Sequence, residues 1–252
     1  MLEKEIALFQ ENPDLSVGYN LFFDYYVRFL NNFAIIILGF LIILLLTPLF
    51  NMEYSTHMDG LILSSKKGKR ALIYGKLCTA LITITIVHVL VIGLYSLLCG
   101  AFWGFDGGGT SLSAMFYDPF QYILSPYGLT MGQFYLISVA ISFCACIGIG
   151  AFTILLSSKI RNPVLCMSIV LTAFFVPVLI YALSGTNEIQ NIINYSYGRI
   201  MQVAPLFCRY RGMVVFGKAV SEKDLALVLL GVTTAIFTWL SFRTFKKHEV
   251  EN

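Results

Sequence analysis

Charge is what this sequence has least of. Of its 252 residues only 12% are Asp, Glu, Lys or Arg, while 58% are hydrophobic. Soluble globular domains carry about a quarter charged residues, so an ordinary soluble fold is excluded. The net charge is only +3 and the lysines and arginines gather at the ends of apolar runs. That distribution lacks the basic stripe of a nucleic-acid-binding protein, and no nucleic-acid partner is expected. Histidine is nearly absent: His57, His88 and His248 are all there is, and no HExxH occurs. There is no GxSxG, and no lysine of a phosphate-binding loop follows a glycine run. The six cysteines (Cys78, Cys99, Cys144, Cys146, Cys166, Cys208) form no CxxC pair and fall mostly within apolar runs. They read as small packing residues, and neither a metal nor another cofactor is expected. A chain with neither nucleophile nor nucleotide site is not expected to be an enzyme.

What the sequence has instead is long apolar runs. A bilayer-spanning helix needs about 20 such residues, because away from water every backbone group must find its partner within the segment. Five stretches qualify: 32–50, 77–105, 133–158, 163–184 and 225–242. The expected fold class is therefore all-α, a polytopic integral membrane helical bundle forming a single transmembrane domain. No cleavable leader is expected, since residues 1–29 are acidic with no basic start. Placing segments 51–76 and 159–162 and the C-terminal tail on the cytoplasmic side collects ten basic residues there, against seven on the other side. By the positive-inside rule the N-terminus is expected outside and the C-terminus inside, in the cell membrane.

The segments between the runs carry their own signals. In the outer segment 1–31, Leu21, Phe22, Tyr25, Tyr26, Phe29 and Leu30 share one helical face. Such a helix is expected to lie on the bilayer and feed the first span. Asp106-Gly107-Gly108-Gly109 reads as a flexible turn. In the third run Ser142, Cys146 and Gly150 recur every fourth residue and mark a helix-packing face. Pro177 interrupts the fourth run, as a bend or as a gate. Segment 185–224 is too apolar for a free loop: either short helices dip into the outer leaflet around Pro205, or a helix lies flat. His88, deep in the second run, has two readings. Intramembrane ionisable residues default to a functional role, yet the Thr85 hydroxyl or a neighbouring helix would also satisfy a neutral imidazole.

The organising stretch is Phe50–Lys76, FNMEYSTHMDGLILSSKKGKRALIYGK. Glu53 and Asp59 face Lys66, Lys67, Lys69, Arg70 and Lys76, with a short apolar helix expected over Met58–Leu63. Glu53, Gly60, Leu61-Ile62-Leu63, Ser64-Ser65, Gly68-Lys69-Arg70 and Lys76 resemble the cytoplasmic coupling region of ABC-2-type permeases, the membrane subunits of bacterial ATP-driven exporters. The order of the later helices, the short connection 159–162 and the stretch before the last helix are similar to that family as well. One departure stands out: the family usually has six membrane helices and five are counted here, so the first is expected to be absent from this chain or provided by another subunit.

The resemblance implies a multi-pass permease subunit without catalytic activity, paired with a second permease chain and with a separate ABC ATPase subunit. Residues from His57 to Ser65 would form the coupling helix. Lys66, Lys67, Lys69 and Arg70 would set its register on the ATPase, Met58, Leu61 and Leu63 would fill the cleft, and Glu53, Asp59 and Gly60 would belong to the same partner-binding loop. Two other classes fit the residues: a regulatory or immunity membrane protein that binds without transporting, and a membrane-embedded enzyme working through His88.

Overall fold

Away from water the backbone amides of an apolar run have few partners other than the carbonyl one turn back, and in the computed structural model these runs are helical. The structure describes residues 21–49, 51, 68–115, 125–183, 187–208, 212–215 and 218–247. Among the described residues five helices are long and apolar enough to cross a membrane. They are α1 (Leu21–Leu46), α2 (Gly68–Trp103), α3 (Met131–Ser157), α4 (Pro163–Leu183) and the last helix, Glu222–Lys247. Between α4 and the last lie α5 (Asn187–Ile193), α6 (Tyr197–Gln202), α7 (Ala204–Phe207) and a ribbon of β1 (Gly212–Val215) and β2 (Lys218–Ser221). The last helix is therefore α8.

Polar residues at the termini set where the helices begin. Thr130 and Gln133 form a reciprocal capping box at the start of α3, with bonds of 3.3 and 3.1 Å. The Asn162 side chain accepts from the amides of Val164 and Leu165 at the start of α4, where Pro163 has no amide hydrogen to leave unpaired. Glu222 and Asp224 occupy the first turn of α8, where the helix dipole favours acids. Hydroxyls within the spans, such as Thr85, Thr172 and Thr238, donate to the carbonyl four residues back and need no other partner.

Successive spans run antiparallel. Ser157 meets Thr47 at one end of the bundle, and Tyr74 meets Phe242 at that same end. At the opposite end Trp103 stacks on Tyr25 and Phe105 leans on Phe22. Helix α3 is central and packs against α1, α2, α4, α6 and α8. Its apolar window is 61% buried, against 17% in α4 and α8. The outward faces of those two present Leu179, Leu183, Val228 and Trp239, side chains suited to lipid.

Several expectations change. The first span begins at Leu21, eleven residues before the expected Asn32, and continues through a π-helical turn at Leu30–Ala34. The aromatic face expected to lie on the bilayer is instead packed inside the bundle. Phe22 and Tyr26 are buried, and Phe29 stacks on Tyr95 at 3.7 Å. The physical reason is that α2 and α3 offer complementary rings, so the face buries more area there than it could on a membrane surface. The extension also brings the Asp24–Arg28 ion pair (3.1 Å) into the first helix.

The glycine turn is pinned as well. Gly107 takes φ +87°, the Gly108 carbonyl accepts from the Gly132 amide (2.9 Å), and the Leu112 amide donates to the Leu129 carbonyl (2.9 Å). The two-stranded ribbon is a small exception to the all-α expectation. Helix α4 runs through Pro177 without interruption.

Candidate functional site

One face of α3 carries a polar seam along its whole length. Positions 135, 138, 142, 146, 150, 153 and 157 are three or four residues apart and therefore superimpose. Tyr135 donates to Ser96 Oγ (3.1 Å), and Ser138 donates to the buried Tyr26 hydroxyl (3.0 Å). Next along the seam His88 Nε2 lies 2.9 Å from Ser142 Oγ. The Ser142 proton is directed to the Val139 carbonyl (3.0 Å), so the imidazole donates to Ser142. Cys146 is fully buried below it. At Gly150 a Cβ would stand 2.5 Å from Ile84 Cδ1 and 3.1 Å from Leu46 Cδ1, so only glycine lets α1 and α2 close on α3 here. Ser142, Cys146 and Gly150 thus all face the interior of this one chain.

The His88–Ser142 pair has the residue types of a nucleophile and its base. It is sealed: His88 is 3% exposed and Ser142 not at all, and Phe143 closes edge-on over the ring. Thr85, the hydroxyl considered from sequence, turns instead to the Leu81 carbonyl. The arrangement is that of an interhelical hydrogen bond. Such bonds average about 0.6 kcal/mol and reach about 1.7 kcal/mol. His88→Leu is accordingly expected to lower stability in detergent by about 1 kcal/mol, because Ser142 keeps its bond to Val139. A double-mutant cycle with Ser142→Ala checks this, and a coupling above about 1.7 kcal/mol contradicts it.

The seam ends at Asn51. Its amide nitrogen faces three acceptors and donates to the carbonyls of Ser157 (2.6 Å) and Ile160 (2.7 Å) and to Ser157 Oγ (3.2 Å). The opposite orientation would set the amide oxygen against two carbonyl oxygens. Ser157 in turn donates to the Thr47 carbonyl (2.7 Å). Asn51 thereby satisfies carbonyls that the end of α3 leaves without helical partners. It also fastens the start of the basic stretch to the connection between α3 and α4.

Of the residues expected to meet a partner, Glu53, His57, Asp59, Gly60, Leu61, Leu63, Ser64, Lys66 and Lys67 lie outside the described residues, as does Met58. Lys69 and Arg70 belong to the first turn of α2. Lys76 is buried at 7% on the same helix.

At the other end, residues 187–208 form three short helices instead of one, and α6 packs against α3 and α4. The Tyr197 ring covers Gly148, well inside α3, and its hydroxyl pairs with Thr233 Oγ1 of α8 (2.6 Å). The Arg199 guanidinium lies 3.5 Å over the Tyr181 ring and donates to Gln202. Gln202 donates to the Asn31 carbonyl (2.7 Å), in the π-helical turn of α1. The chain reverses at Val203, a buried β-branched residue held at φ +62°, where such side chains are rarely found. Ser138, Asn51, Tyr197 and Gln202 were not singled out from sequence, and Tyr26 was named there only as part of an aromatic face. Ser138 was within reach, lying on the 142–146–150 face one turn earlier; Asn51, Tyr197 and Gln202 have no local signal.

All six cysteines are free, four of them buried. Among the described residues no three His, Cys, Asp or Glu side chains gather as a metal set.

The fold and seam define a class: a helical protein of membrane type, with five helices able to span and a folded-in segment before the last. No family model, no curated protein and no solved structure matches the chain.

Proposed function

We propose that the chain is a membrane-spanning permease subunit of an ABC-2-type exporter, driven by a separate ATPase subunit and paired with a second permease chain. The observation that carries this reading is the polar, basic segment 51–76, which leads from the first membrane-length helix into the first turns of the second, in the pattern Glu53, Gly60, Ser64 and Lys76. Two features support it: Asn51 anchors one flank of that segment, and segment 187–208 packs within the bundle before the last helix. In this reading the N-terminus is outside and the basic end faces the cytoplasm of the cell.

Mechanically, ATPase closure pushes on residues 53–70. Helix α2 is a single rod of 36 residues, about 54 Å at 1.5 Å per residue. A displacement at Gly68 is therefore delivered to the far end without a hinge. Asn51 passes the same push to α3 and α4.

Co-purification with the ATPase subunit tests the docking. Gly60→Trp, and Glu53→Lys combined with Asp59→Lys, are each expected to abolish the complex and its nucleotide-dependent activity. Assembly and ATPase coupling unchanged in both variants reject the proposal. So does labelling of Lys66–Arg70 from outside intact cells.

A further inference from the structure

The face of α3 opposite the seam is not filled by α8. Near the start of α8 a cavity of about 520 Å³ opens between Tyr127, Leu129, Ile137, Phe207 and Lys223. A second, of about 530 Å³, continues along the two helices past Cys144, Ile147, Leu230 and Gly231. They share Ala140, Ile141 and Leu227, so they form one groove. From Lys223 to Ala235 it extends over twelve residues of α8, about 18 Å. That is close to the half-thickness of a bilayer's hydrocarbon core, about 15 Å.

The mouth of the groove carries a cation held by rings. Lys223 Nζ sits 4.3 Å from the Tyr127 ring centre and 5.3 Å from that of Phe207. Its nearest carboxylate oxygen among the described residues is Asp224 Oδ1, 4.0 Å away and beyond hydrogen-bond reach. Glu222 is engaged by Asn194 (2.9 Å), whereas the Asp224 side chain is 62% exposed. One aimed ammonium and one exposed carboxylate thus stand side by side above an apolar channel one leaflet deep.

The geometry points to a binding site for a single zwitterionic aminophospholipid. Its phosphate sits on Lys223, its ammonium on Asp224 and one acyl chain between α3 and α8. The paired opposite charges are what favour phosphatidylethanolamine over phosphatidylglycerol, whose headgroup brings no cation to Asp224. A cation partly withdrawn from water against aromatic faces, as Lys223 is with its side chain 23% exposed, gains more from a phosphate than one in open water does. This site is independent of any ATPase partner.

The test is native mass spectrometry of the full chain in detergent supplemented with phosphatidylethanolamine or phosphatidylglycerol. Wild type is expected to retain one phosphatidylethanolamine at a several-fold higher occupancy than phosphatidylglycerol. Gly231→Phe puts a ring at the wall of the groove from a position where a Cβ meets no atom within 4 Å. It is expected to cut occupancy at least five-fold with an unchanged melting temperature. Lys223→Gln is expected to do the same, and Asp224→Asn to erase the preference between the two lipids. Equal retention of both lipids by wild type overturns the proposal, as does wild-type occupancy in both Gly231→Phe and Lys223→Gln.

Discussion

Gly148→Leu is expected to prevent the bundle from closing, and Tyr197→Ala in the same chain to restore part of what is lost. A Cβ at position 148 falls within the Tyr197 ring and 2.9 Å from Thr234 Oγ1. The larger side chain must therefore displace α6 from α3, together with the Tyr197–Thr233 hydrogen bond (2.6 Å). Overpacking of this kind costs about 1–3 kcal/mol, and the lost bond takes the total to about 3–4 kcal/mol. Most domains have only about 5–15 kcal/mol in hand. Thiol-reactive dyes report the outcome, because Cys146, Cys166 and Cys208 are buried until the bundle opens. The expected result is early labelling in Gly148→Leu and later labelling when Tyr197→Ala is added. Gly148→Leu labelling at the wild-type temperature would mean that α6 does not sit on α3.

Asn51→Leu is expected to be nearly as damaging, by a different cause. The residue is fully buried and nearly isosteric with leucine, so packing changes little. What changes is that the carbonyls of Ser157 and Ile160 lose their donor. An orphaned buried polar group costs about 1–3 kcal/mol, which puts the loss at about 2–4 kcal/mol. Asn51→Asp is expected to be worse than Asn51→Leu, since it sets carboxylate oxygens against carbonyl oxygens. Melting curves of the purified variants rank the three proteins. In the permease reading the same substitution also lowers nucleotide-dependent activity at temperatures where the fold survives, because Asn51 links segment 51–76 to α3 and α4.

Much of the scaffold was legible in the residues. The cores of the five helices follow from apolar length alone, and the packing face at Ser142, Cys146 and Gly150 follows from its four-residue repeat. Boundaries were less legible where aromatic residues were involved. Leu21–Leu30 has the pattern of a surface helix, and the facing rings of Tyr95, Trp103, Phe105 and Tyr135 make it an interior one. The stretch expected to carry the partner site falls largely outside the described residues, so its part in function rests on the docking experiments.

By itself the sequence determined that this chain is built of helices for an apolar medium, because hydropathy and segment length are local and an unpaired backbone amide is costly wherever the segment finally packs. Only the tertiary structure decided which neighbour satisfies each buried polar group. His88 has a local candidate partner in Thr85 and takes Ser142, fifty-four residues away in the chain. Gln202 reaches the Asn31 carbonyl across 171 residues. Those choices depend on how close two helices can approach, and that in turn depends on a few glycines whose missing side chains have meaning only once the facing helix is in place.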